Sequence, residues 1–168
     1  LILPYRNKIA LTNIKIVFPD ISTSEQLHIL RRCNQHFGIV LMDILRVKSI
    51  NKENIDKIIT LNPESQCILN SVNGAILMTA HFGNWEFFLP ALSLNNFPFT
   101  IVTKTQHNHK IQKFLNWIRN FPKIENIPKE QKNTKLFHAL NNKNILGLAS
   151  DQGISQFGLE NLFFNKKI

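Results

Sequence analysis

The sequence predicts an α/β domain with a largely parallel sheet flanked by helices. Two observations carry the prediction. Short apolar runs of strand length recur at 75–80, 99–103 and 145–149. Between them lie longer segments with apolar residues every three or four positions, the spacing of one helix face. Strands alternating with helices bury a parallel sheet between helical layers.

In chain order, 5–16 reads as a short helix stopped near Phe18-Pro19-Asp20, because proline bars helical continuation. Ser22 to Glu25 offers a cap. Leu27, Leu30, Cys33, Phe37, Val40, Leu41 and Ile44 then form one face of a long helix over 24–48, a stripe whose plain meaning is core packing. A short strand is expected at 57–61. Pro63 opens a helix that ends near Asn73-Gly74. The run 75–80 is continuous and sharply bounded, so it is expected to be a buried strand. Asn84 is placed to cap a helix over 85–94. A strand at 99–103, helices at 109–120 and 129–142, and strands at 145–149 and 162–164 complete the order. No repeat or interdomain linker interrupts it, so 1–168 reads as a single domain.

The length of 168 residues suits one domain, and a chain near this size buries roughly 70% of its unfolded surface. With 43% apolar residues it is globular. Lys and Arg number 20 against 11 acids, a net charge of +9 that favours an anionic partner without selecting one. Cys33 and Cys67 are far apart and form no CxxC, which argues against a disulfide framework or zinc site and fits a reducing compartment. No signal peptide is evident, and no apolar run reaches the roughly 18 residues of a membrane span. The absence of a starting Met and the ending at Lys166-Lys167-Ile168 suggest a domain incomplete at both ends.

The segment His81-Phe82-Gly83-Asn84-Trp85-Glu86 carries the chemistry. His81 follows the 75–80 strand, and ligands of open α/β sheets bind at the carboxyl ends of strands. Gly83 permits a tight turn. Glu86 falls in the first turn of the next helix, from where its carboxylate is expected to reach one imidazole nitrogen and leave the other as a general base. Such a pair suits removal of a proton from a hydroxyl or water. Of the six histidines, His81 alone has an acid five positions on. Spacing by itself is a weak signal, and a helix-capping histidine beside a surface Glu gives the same pattern.

The whole string HFGNWE resembles the motif of the late lipid A acyltransferases, the Kdo-dependent lauroyl and myristoyl transferases of the His-x4-Asp/Glu acyltransferase group. The resemblance spans nearly the whole chain. Asn13-Ile14 through Phe18-Pro19-Asp20, Ser22 and Glu25 look like the family's opening. Thr103-Lys104 with Asn108 looks like its Tyr-Arg-Pro…Asn-Pro segment. Arg119 falls where the family keeps an arginine, and Asp151-Gln152 follows a strand as its Asp-Gln does. Gly158-Leu159 with Leu162-Phe163-Phe164 resembles a late strand. Lys104 replaces the family's arginine, Gln112 a usual aspartate and Asp43 a frequent glutamate.

The resemblance implies a lysophospholipid-acyltransferase-like fold and transfer of a fatty acyl group from an acyl carrier protein thioester to a lipid A precursor hydroxyl. The setting it implies is the cytoplasmic face of the inner membrane, with the anchor outside this stretch. It casts His81 as base and Glu86 as its orienter. Arg119, Asp151, Gln152, Lys104 and Asn108 become substrate-binding residues, and no cofactor or metal is required. Two other readings stay open: an acyltransferase with another glycolipid or glycerophospholipid acceptor, and a non-catalytic lipid- or membrane-binding relative.

Plainer features accompany these. His107 and His109 lack a third metal ligand in the sequence and read as a solvated loop. Lys104, Lys110, Lys113 and Arg119 with Phe114 and Trp117 make a basic stretch, but aromatics three apart are ordinary helix packing, and nucleic acid is not expected as a partner.

Overall fold

The computed structural model describes residues 6–131, 133–151 and 162–167. The described chain forms two compact units, one from residues 43–151 and one from within 1–42 and 152–168.

The smaller unit holds α1 (Asn7–Val17), most of α2 (Thr23–Arg46), and a hairpin of β5 (Leu162–Phe163) and β6 (Lys166–Lys167). A reciprocal capping box starts α2: the Ser22 backbone N–H donates to Glu25 Oε2 at 2.8 Å, and the Glu25 N–H donates to Ser22 Oγ at 3.3 Å. Phe164 and Asn165 both take positive φ, 49° and 58°, the requirement of the tight turn that joins β5 to β6.

The larger unit is the α/β layer. Its elements are α3 (Ile55–Ile58), α4 (Pro63–Ser71), β1 (Ala75–Thr79), α5 (Phe88–Leu94), β2 (Phe99–Thr103), α6 (His109–Arg119), β3 (Ile124–Pro128), α7 (Thr134–Asn141) and β4 (Ile145–Ala149). The four strands form an all-parallel sheet in the order β1-β4-β2-β3. The last strand therefore inserts between the first two. That places the carboxyl end of β4 beside that of β1, at the kind of crevice where such sheets bind ligands. Leu92, Phe97, Phe99, Ile118, Phe121 and Ile145 make the buried core, and Val47, Ile50 and Ile55 close one side of it.

Several expectations need correction. Residues 57–61 form no strand: Asn51 and Asn54 tie the preceding backbone into a turn, and Ile55 enters the core at the start of α3. β1 is not a buried strand. Among the described residues it lies at the sheet's edge, and Ile76 and Met78 are 56% and 63% exposed. The helix expected at 129–142 is confined to α7. The strand β3 before it is disguised by Glu125, Asn126 and Pro128, residues tolerated because it is the other edge. Asn84 makes no capping hydrogen bond. Trp85–Phe87 is a 3-10 turn that leads into α5, and Asn84 Nδ2 instead donates to Asp43 Oδ2 at 3.2 Å.

Gly147 in β4 is required by packing. A Cβ there would lie 2.3 Å from Cζ of Phe99, whose ring covers it. Gly147→Ala is expected to lower stability by about 1–3 kcal/mol, the cost of overpacking, because the buried Phe99 ring has to move. Chemical denaturation checks this, and an unchanged midpoint would show that the ring yields without strain.

Candidate active site

Parallel register explains the site's first pair. Thr79 of β1 is opposite Ala149 of β4, and the Ser150 N–H donates to Thr79 O at 3.1 Å, carrying the ladder past the strand ends. Two residues further on each chain stand His81 and Asp151. Asp151 Oδ1 is 2.9 Å from His81 Nδ1, and Asp151 Oδ2 accepts from the His81 backbone N–H at 3.1 Å. One carboxylate thus holds both the ring and the backbone of the histidine. Trp85 supports the imidazole edge-on, with ring centroids 5.2 Å apart. Gly83, at φ 60°, makes the turn between them.

Partial burial works to raise the Asp151 carboxyl, but hydrogen bonds from the His81 ring and backbone outweigh it and hold Asp151 below the ordinary carboxylate range. An ionised carboxylate only accepts, so His81 Nδ1 is the donor of this hydrogen bond. The sign for stability follows. A depressed carboxyl contributes stability above its unfolded value, near pH 4, and loses it as pH falls through the folded value. The acid limb of unfolding, followed by circular dichroism below about pH 4, is expected to be shallower in Asp151→Asn than in the native chain. Equal slopes would mean that Asp151 gains nothing from His81.

The second pair is deeper. Glu86, 5% exposed, accepts from Arg119 Nε at 3.2 Å through Oε1 and at 3.1 Å through Oε2, and its Oε1 also accepts from Arg119 Nη2. This corrects the expected pairing. The glutamate belongs to Arg119 at the end of α6, and the histidine belongs to Asp151. The 3-10 turn aims Glu86 inward, whereas strand order supplies Asp151 from 70 residues away.

His81, Glu86 and Arg119 line one cavity of about 250 Å3, with Trp85, Phe88, Phe99 and Gly147 among its walls, and Asp151 holds His81 from outside that lining. Apolar residues make up most of its lining, and Thr79, Asn84 and Thr103 add polar groups beside His81, Glu86 and Arg119. A larger cavity of about 700 Å3 shares Thr103 and Arg119 with it and runs along α6 and β3.

Of the other expected site residues, Asn108 and Lys104 line neither cavity. Asn108 caps α6, its Oδ1 accepting from the backbone N–H groups of Lys110 and Ile111 at 2.9 and 3.3 Å. Lys104 is exposed just past β2. Gln152, with Gly158 and Leu159, lies outside the described residues. Trp85 and Thr103 were not singled out as site residues from the sequence. An aromatic inside HFGNWE and a residue at a strand's carboxyl end were the available signals. Among the described residues, no three His, Cys, Asp or Glu side chains gather as a metal site.

A histidine held by a carboxylate thus stands at the strand ends, beside a buried arginine–glutamate pair and a largely apolar cavity. The chain belongs to the bacterial lipid A biosynthesis acyltransferase family, whose model matches residues 2–167. No curated protein sequence matches it significantly. Membership makes it an acyltransferase-family chain of lipid A, and so of lipopolysaccharide, biosynthesis, a membrane-associated process. Among the described residues no helix is long and apolar enough to cross a membrane.

Proposed function

We propose that this chain is the catalytic region of an enzyme that moves a fatty acyl group from an acyl carrier protein thioester to a hydroxyl of a lipid A precursor, at the cytoplasmic face of the inner membrane. The observation that carries the reading is the His81–Asp151 pair, 2.9 Å apart at an apolar cavity, in a chain of this family.

Asp151 fixes the tautomer and stabilises the imidazolium as it forms. His81 Nε2 takes the proton of the acceptor hydroxyl, and the freed oxygen attacks the thioester carbonyl carbon. The carbonyl oxygen gains the charge. Arg119 commits Nε and Nη2 to Glu86, which leaves further N–H donors of its fork to stabilise that oxyanion. Collapse breaks the carbon–sulfur bond, the carrier leaves as a thiol with the proton from His81, and the ester remains on the lipid. Glu86 is a positioning residue that holds Arg119. The cavity takes the chain's carbonyl end. The net charge of +9 suits an acidic carrier protein and a phosphorylated lipid.

The test is acyl transfer by the full-length parent protein in membranes, with radiolabelled acyl carrier protein thioesters and a lipid A precursor. His81→Ala is expected to abolish product. No transfer to any lipid acceptor by the folded native protein would sink the enzyme reading and favour a lipid-binding relative.

A further inference from the structure

The second cavity, along α6 and β3, has a different chemistry from the first. Its walls carry Thr103, Gln112, Asn116, Trp117, Asn120 and Asn126, and Arg119 stands where it meets the first cavity. Among the described residues no carboxylate lines it, and the one cation in its lining is paired with Glu86; Lys48, outside the lining, donates to the Asn120 carbonyl at 2.7 Å. A cavity whose own lining carries no uncompensated charge is less suited to a phosphate group, whose desolvation requires opposing charge. It suits neutral groups rich in hydroxyls.

Two internal hydrogen bonds set the polarity of its amides. Thr103 Oγ1 donates to Asn126 Oδ1 at 2.7 Å, and Gln112 Nε2 donates to Asn116 Oδ1 at 2.8 Å. Both use an amide oxygen and present the NH2 groups of Asn126 and Asn116 as donors. Trp117 is 52% exposed beside them, a large aromatic surface next to convergent polar groups, with Lys48 Nζ 6.0 Å from its ring centroid. A pyranose ring matches that combination. Its axial C–H face packs on an indole while its hydroxyls and substituent oxygens accept from amides. A volume of about 700 Å3 lies within the range of ordinary small-molecule sites.

We infer that this cavity is the seat for a sugar ring of the acceptor, with Trp117 as its stacking platform and Asn116 and Asn126 as its hydrogen-bonding walls. The inference rests on the acyl-transfer reading of the first cavity, because Thr103 and Arg119, common to both, are where a hydroxyl of the seated sugar would meet the acyl carbon. It assigns neutral ring recognition to this groove and leaves the acceptor's anionic groups outside it.

The test uses full-length protein in detergent micelles and two probes, an unphosphorylated glucosamine disaccharide and inorganic phosphate. Saturation-transfer NMR is expected to show magnetisation reaching the disaccharide's ring protons. Trp117→Ala and Asn126→Ala are each expected to weaken that binding about tenfold, the scale of one lost stacking or hydrogen-bonding contact. Trp117→Phe, which keeps an aromatic face, retains most of it and guards against a merely misfolded variant. Absence of disaccharide binding, binding that survives both alanine variants, or displacement of the disaccharide by phosphate would each overturn the inference.

Kinetics separate this result from the enzyme reading. Disaccharide binding that depends on Trp117, in a protein that transfers no acyl group, supports the sugar seat and removes the transferase reading. Transfer by native protein with an acceptor KM that Trp117→Ala leaves unchanged removes the sugar seat alone. The supporting outcome is an acceptor KM about tenfold higher in Trp117→Ala, with no matching rise for the acyl carrier thioester.

Discussion

Asp151→Asn is expected to lower kcat for acyl transfer by about 10²- to 10⁴-fold, the range general-base catalysis contributes, in a protein that remains folded. Asparagine keeps the shape of the carboxylate but removes its charge. Its NH2 group can donate to Nδ1 and so hold the ring in the tautomer that puts the proton on Nε2, and its neutral oxygen stabilises the imidazolium poorly. The side chain is about a third exposed, 34%, so the loss of the pair itself costs little stability, on the order of 1 kcal/mol or less. The result also tells which carboxylate orients the base. If Glu86 did so, as its spacing from His81 suggests, Glu86→Gln would be the stable, kinetically dead variant and Asp151→Asn would be mild. Transfer rates alongside thermal unfolding of both variants decide between them.

Arg119→Met is expected to lose about 3–5 kcal/mol of stability, because it leaves the buried Glu86 carboxylate without its partner. Glu86 is 5% exposed and Arg119 18%, so water replaces little of what the guanidinium supplies. The double variant Glu86→Leu/Arg119→Met is expected to recover most of that loss, since apolar residues of similar volume remove the desolvation cost of both ions together. Transfer stays absent in both, because the donors aimed at the oxyanion are gone. Urea midpoints give the stability arm. A single Arg119→Met variant as stable as the native chain would show that Glu86 protonates or finds another partner.

How much of this was legible in the sequence depended on how local each signal was. The strands at 99–103 and 145–149 stood out because compact apolar runs are self-contained signals, and the capping box of α2 because Ser22 and Glu25 are three apart. β3 was hidden because an edge strand tolerates Glu125, Asn126 and a terminal Pro128, which weaken the apolar pattern. His81, Glu86, Arg119 and Asp151 each stand out in the sequence, but their pairing does not. His81 was matched with the acid nearest in sequence, whereas its partner comes from the strand inserted beside β1, and strand order is a property of long-range packing. The same distance effect concealed the Glu86–Arg119 pair, whose members are 33 residues apart. Asn108, expected as a substrate-binding residue, caps α6, a role its position before the helix already allowed.

β1, with β4 as its sole neighbour among the described residues, has a bearing on how the site would fail. An edge strand opens at lower free energy than the strands it flanks, so fluctuations that begin there release the His81 loop before the core of β2 and β4 is disturbed. Asp151, bonded to both the ring and the backbone of His81, acts as a clasp across the end of the β1–β4 ladder. The bond that sets the proton on the imidazole therefore also resists the fraying that would carry the imidazole away.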